Sequence, residues 1–122
     1  MYVAYAAFMG NDNVHTKIQF HRSTDCGQTW SGAAMLSESL KVNQSPSIAI
    51  EPQTGRVFVT WREFAADKSI DRIVVAISND LGKTFSKGVT VGLLQANTGG
   101  SASFDQPTLP SAEVTEFRLF LT

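Results

Sequence analysis

The chain has 122 residues, a net charge of −1, 43% hydrophobic residues and 17% charged ones. That is enough for one ordinary folded domain and is not the composition of a disordered segment. It offers no basic surplus to draw in nucleic acid or anionic lipid. One cysteine, Cys26, excludes an intrachain disulfide and a multi-cysteine zinc site, and no run of about 18 apolar residues exists to span a membrane as a helix.

Taken in order, the elements are short strands rich in Val, Ile, Phe, Tyr, Trp and Thr, bounded by turn residues. Tyr2 to Phe8 is the first. The start, Met1-Tyr2-Val3-Ala4-Tyr5, has no signal-peptide features and already reads as strand, so the chain is expected to begin partway into a larger architecture. Thr16 to Ser23 follows, with Ile18 and Phe20 alternating against Lys17, Gln19 and His21. Next come a turn at 23–30, a strand near Ala33 to Leu36, and a strand from Pro46 to Glu51. Pro52-Gln53-Thr54-Gly55 makes a tight connection, since Pro presets φ and Gly accepts positive φ. Strands Arg56 to Phe64 and Asp71 to Ser78 flank a polar loop at 65–70. After a second turn a strand runs from about Phe85 to Val91. Gln95 to Ser103 is a small, polar, flexible connection. Its Gly99-Gly100 is not a phosphate loop, because no lysine follows and no helix starts there. Pro107-Thr108-Leu109 and Phe117 to Thr122 complete the pattern. Few windows keep the spacing of an amphipathic helix.

The two turns repeat one another. Ser23-Thr24-Asp25-Cys26-Gly27-Gln28-Thr29-Trp30 returns further along the chain as Ser78-Asn79-Asp80-Leu81-Gly82-Lys83-Thr84-Phe85. Gly27 and Gly82 stand where a tight turn wants positive φ. Asp25 and Asp80 can accept backbone N–H groups, and Ser23, Ser78, Thr29 and Thr84 add hydroxyls. Trp30 and Phe85 are expected to pack beneath the turns. The alternative is that the aspartates are catalytic or bind a metal; a metal needs several converging oxygens, and each motif supplies one carboxylate.

A motif repeated at this spacing marks an array of like units. The middle unit is complete, four antiparallel strands A to D with the motif between C and D. The units divide as 1–43 (strands B-C-D), 44–104 (A-B-C-D with a linker) and 105–122 (A-B). The fold class is therefore all-β, a β-propeller segment of four-stranded antiparallel blades. About three repeats are needed for stability. Two blades are thus expected either to be a fragment of a longer protein or to associate with copies of the chain.

These motifs resemble the Asp-box of the bacterial neuraminidase (BNR) repeat, found in sialidases and related propellers. Gly55-Arg56-Val57-Phe58-Val59-Thr60-Trp61 before strand C, and Trp30-Ser31 and Phe85-Ser86 after the boxes, extend the likeness over nearly the whole chain. The resemblance implies a six-bladed propeller with an axial site, an arginine triad that grips a sialic-acid carboxylate, a Tyr–Glu nucleophile and an aspartate acid/base. The Arg-Ile-Pro motif of the first triad arginine is absent. None of Arg22, Arg56, Arg62, Arg72 and Arg118 sits in a motif of the triad, and Tyr2 and Tyr5 fall in strand B positions. The resemblance also implies an extracellular or periplasmic setting and no cofactor.

The A–B turns and the boxes share one face of such a disc; the B–C and D–A loops form the other, where the family's site lies. Weak catalytic candidates on that face are Arg62, Glu63, Asp67, Asp12 and Asp105, with His15 beside them. Arg62 could grip a carboxylate by two hydrogen bonds. Equally, Arg62 and Glu63 are solvated rim charges paired with Asp67 or Lys68. The expected function is to act on or bind glycans, as a glycoside hydrolase of exo-α-sialidase type or an inactive relative. The main alternative is a non-catalytic interaction or adhesion propeller, because fold does not choose between them.

Overall fold

The structure, a computed structural model, describes residues 1–10, 15–38, 41–64, 70–95, 112–115 and 118–121. All regular structure in these residues is β, and every strand pairing is antiparallel. No helix among them is long and apolar enough to cross a membrane. Strands β1 (Tyr2–Met9), β2 (His15–Arg22) and β3 (Ala34–Met35) make a three-stranded sheet in that order. Strands β4 (Val42–Ile50), β5 (Val57–Phe64), β6 (Ile70–Ser78) and β7 (Val89–Gln95) make a four-stranded one. Strands β8 (Ala112–Thr115) and β9 (Arg118–Leu121) pair as a hairpin.

The two larger sheets share one register. Tyr2 lies opposite Arg22, and their counterparts in the second sheet, Phe58 and Ile77, lie opposite each other. Gln19 lies opposite Met35, and their counterparts Val74 and Thr90 pair in the same way. Side chains alternate along a strand, so a one-residue slip would turn each core residue to the wrong face. The repeat in the sequence is thus a repeat of pairing geometry.

Element boundaries differ from the sequence reading in ways that have causes. β4 starts at Val42 rather than Pro46. The register shifts between Gln44 and Ser47, with Ser45 at φ +58°. Such a bulge lets a strand carry a proline, which has no N–H to give. β7 starts at Val89 rather than Phe85. The intervening residues lie beside β6 through Ser86, whose N–H donates to the Ile77 carbonyl at 2.8 Å and whose Oγ accepts the Ile77 N–H at 3.0 Å. Ser31 bonds Arg22 in the same way at 2.9 and 3.1 Å. β8 occupies residues to which the sequence assigned no strand, whereas Pro107-Thr108-Leu109 lies outside the described residues.

The sheets pack face to face. Ile18 and Phe20 of β2 meet Val57, Val59, Trp61, Val74 and Ala76, all buried, with Ala4, Ala6, Ile48 and Phe85 packed around them. Each fully buried large side chain contributes about 1.5–3 kcal/mol. A polar latch crosses the same interface. Thr16 Oγ1 donates to the Asn43 carbonyl and accepts the Asn43 N–H, both at 2.5 Å. Asn43 Nδ2 donates to the Thr16 carbonyl at 3.1 Å, and Trp61 Nε1 donates to Asn43 Oδ1 at 2.9 Å. Thr16 and Asn43 are fully buried, so their bonding is what makes their burial tolerable.

Candidate functional site

The repeated turns are wired alike. In the first, Ser23 Oγ donates to Asp25 Oδ1 at 2.7 Å and accepts the Gly27 N–H at 2.8 Å. Thr29 donates its N–H to Asp25 Oδ1 at 2.9 Å and its hydroxyl to Oδ2 at 2.5 Å. In the second, Ser78, Asp80, Gly82 and Thr84 repeat these bonds at 2.7, 2.9, 2.9 and 2.6 Å. Gly27 and Gly82 adopt φ of +89° and +78°. Cys26 and Leu81 also lie in the left-handed region, at +58° and +60°, which nothing in their side chains announced.

Hydrogen bonds to a carboxylate favour its charged form. The Thr29 hydroxyl, then the Thr29 N–H and the Ser23 hydroxyl, hold the Asp25 carboxyl down at about 2, against an ordinary 3.8. The Thr84 hydroxyl, the Thr84 N–H and the Ser78 hydroxyl hold Asp80 lower still. Among the described residues no group of three or more His, Cys, Asp or Glu is placed to hold a metal ion.

The turns differ in what they rest on. Phe85 sits edge-on to Phe20 with ring centroids 4.6 Å apart. Trp30 lies against its own turn, its ring 3.7 Å from where a Cβ on Gly27 would stand, yet it is left 41% exposed. Leu81, in the second turn, touches the β4–β5 connection, for a Cβ on Gly55 would collide with its side chain. These two turns therefore share one end of the molecule.

At the other end of β5 lie Arg62 and Glu63. Arg62 donates from Nε at 2.9 Å and Nη2 at 2.5 Å to one oxygen of Asp71, and its guanidinium lies 4.5 Å from the centre of the Phe64 ring. The two side chains are only 12% and 4% exposed, so this is a buried ion pair rather than a solvated rim charge. The partner follows from register: Arg62 lies opposite Ile73, which places Asp71 diagonally next to it on the same face. Glu63, the next residue, points to the opposite face. There it takes Lys41 Nζ at 2.8 Å and Arg72 Nη1 at 3.7 Å. His15 is exposed at the start of β2, while Asp12, Asp67, Lys68 and Asp105 lie outside the described residues.

Between the segment after β3 and the four-stranded sheet is a cleft of about 130 Å³, with Leu36 and Trp61 in its walls and Lys41, Glu63 and Arg72 along it. Lys87 and Glu38, both exposed, pair across it at 3.1 Å. Its charged groups give a hydroxyl- or carboxylate-bearing guest both donors and acceptors. The sequence reading gave Lys41, Lys87 and Glu38 no role. They come from separate segments and carry no local signature, so only the meeting of the sheets assembles them.

No protein-family model matches the chain, and no curated protein matches it. Among solved structures, the Hadza microbial sialidase Hz136 is similar over 62% of this chain, with a TM-score of 0.55 and 21% sequence identity. The match covers 19% of that protein's chain. A likeness of this kind carries the fold: a sialidase-like β-propeller segment of antiparallel sheets.

Proposed function

We propose that this chain is a stretch of about two blades of a sialidase-like Asp-box propeller, six-bladed when complete, that acts on or binds glycans. Residues 1–43, 44–104 and 105–122 are its partial, complete and third blades. The observation that carries this reading is the shared Ser–Asp–Gly–Thr wiring of two motif turns in two sheets of one register, together with the fold likeness to a microbial sialidase. The turns act as fasteners. The opposite end, with Glu63, Asp12, Asp67 and Asp105, faces the glycan. The reaction is of exo-α-sialidase type, with most of its catalytic groups supplied by other blades and the protein exported from the cytoplasm.

One observation favours the non-catalytic reading: Arg62, the arginine best placed to grip a substrate carboxylate, is engaged by Asp71. The test is hydrolysis of a fluorogenic sialoside by the isolated chain and by a polypeptide that includes the neighbouring blades. Turnover is expected from the longer polypeptide alone. Turnover by the isolated chain would sink the shared-site reading. Glycan binding without turnover by the longer polypeptide would select the binding module.

A further inference from the structure

The cleft beside Trp61 is laid out by strand register. Trp61, Val74 and Thr90 stand in one row across β5, β6 and β7, and Glu63, Arg72 and Leu93 form the next row on the same face. The counterpart of β7 in the first sheet, β3, is two residues long against seven. Past Met35 no strand continues beside these rows among the described residues, and Thr90 and Leu93 stay exposed. The opening is therefore internal to the two sheets: every residue that lines it lies between Leu36 and Thr90.

Its walls are fastened from inside. The Lys41 carbonyl accepts the Thr16 N–H at 3.3 Å and Asn43 Nδ2 at 3.2 Å. The Leu36 N–H donates to the Ile18 carbonyl at 2.9 Å, and Ser37 Oγ accepts the Ile18 N–H at 2.8 Å. Thr16, Ile18 and Asn43 are fully buried. A Cβ on Gly88 would stand 2.8 Å from Val74 Cγ1 and 3.1 Å from the Trp61 ring, so the backbone there lies directly on the floor of the cleft. A guest does not have to order such a site, which keeps the cost of binding low.

The charges do not cancel. Lys41, Arg72 and Lys87 stand against Glu38 and Glu63, which leaves one positive charge over. Lys41 takes Glu63 Oε1 at 2.8 Å. Arg72 is 3.7 Å from the same oxygen, beyond hydrogen-bond length, and its half-exposed guanidinium donates no hydrogen bond among the described residues. The Lys87–Glu38 pair is open to solvent, so it holds little and parts readily. A planar guanidinium with its fork unused fits a carboxylate. Glu63 keeps its second oxygen as an acceptor for hydroxyl groups, and Thr90 adds a hydroxyl of its own.

We propose that this cleft binds a small hydroxy acid with one carboxylate, of the sugar-acid class. Arg72 takes the carboxylate, Lys87 turns from Glu38 to help neutralise it, and Glu63 and Thr90 take hydroxyls. The space, about 130 Å³, is near the roughly 150 Å³ that accommodates one six-membered ring. The site shares Glu63 with the end read above as glycan-facing but rests on no turnover. The sialoside assay reports hydrolysis by the longer polypeptide and the titration below reports binding by this chain, so each can fail alone.

The probes are D-glucuronate and its methyl glycoside, titrated into the whole chain at physiological ionic strength and followed by NMR of the backbone amides and the Arg72 Nε–H. Saturable shifts are expected at Gly88, Thr90 and Arg72. The two probes binding alike places the acidic end of a longer sugar in the cleft, binding of glucuronate alone places the free acid there, and binding of neither overturns the proposal. D-Glucose, without the carboxylate, and acetate, without the hydroxyls, are each expected to bind about tenfold more weakly or worse. Arg72→Gln should weaken glucuronate about tenfold or more with the circular dichroism unchanged. Thr90→Val should weaken glucuronate roughly threefold and leave acetate as it was. Acetate binding as well as glucuronate marks a plain anion patch and overturns the proposal, as does unchanged affinity in Arg72→Gln.

Discussion

Trp30 and Phe85 hold the same place in two hairpins with matching hydrogen bonds, yet Trp30 is 41% exposed while Phe85 is packed against Phe20. The same contrast runs through the sheets that carry them. Arg62 and Asp71 form a buried ion pair in the four-stranded sheet; at the corresponding places of the three-stranded sheet stand Ala6 and Thr16. Local sequence reproduces the turn and the register. The neighbours that each copy meets decide what it contributes to stability.

Four experiments can break or sharpen this contrast. Arg62→Ala removes the guanidinium that donates twice to the buried Asp71 carboxylate and is expected to cost about 3–5 kcal/mol in denaturant unfolding. A cost under about 1 kcal/mol would mark the pair as solvent-screened and the sheets as energetically alike. Phe85→Ala should cost about 3 kcal/mol and Trp30→Ala about 1 kcal/mol, because only the first empties a packed site. Equal losses would erase the difference between the hairpins.

A smaller effect is expected at the turn glycines. A Cβ on Gly82 would lie 3.0 Å from the Phe20 ring and 3.1 Å from Tyr2, at φ +78°. On Gly27 the nearest atom, the Met1 sulfur, is 3.4 Å away. Gly82→Ala should therefore cost about 2–3 kcal/mol and Gly27→Ala about 1 kcal/mol, the left-handed backbone being common to both. Matching costs at the two glycines would show that the Phe20 and Tyr2 rings yield freely.

The smallest effect is that of pH. Both motif carboxyls titrate below their ordinary 3.8 in the folded chain, so their stabilisation is fully present above about pH 4 and is lost as pH falls. For Asp25 the loss is centred on the interval from about 4 to about 2, and for Asp80 it extends lower. The melting temperature should fall over this interval, and fall less in the double variant Asp25→Asn, Asp80→Asn. Equal slopes would mean that the hydroxyl and N–H bonds leave the carboxylates unperturbed.

Fold class was legible because strand alternation and turn chemistry are local. Ser, Asp, Gly and Thr at fixed offsets close a hairpin whatever surrounds it, and Gly27 and Gly82 needed no partner to announce positive φ. Two such hairpins at one period then imply like sheets. The candidate site was hardly legible. Asp71 as the partner of Arg62, and Lys41 and Arg72 as partners of Glu63, arise from strand pairing and sheet packing rather than from a motif. Asn43 precedes the strand expected from Pro46, yet it is fully buried and joins Thr16 of one sheet to Trp61 of the other.

By itself, then, the order of residues determined the strands, their spacing and the closure of both turns, since each depends on atoms a few residues apart. Tertiary structure alone decided which aromatic is buried and which charges are paired. Those depend on surfaces from distant segments meeting at contact distance, and dispersion, burial and ion pairing act only there.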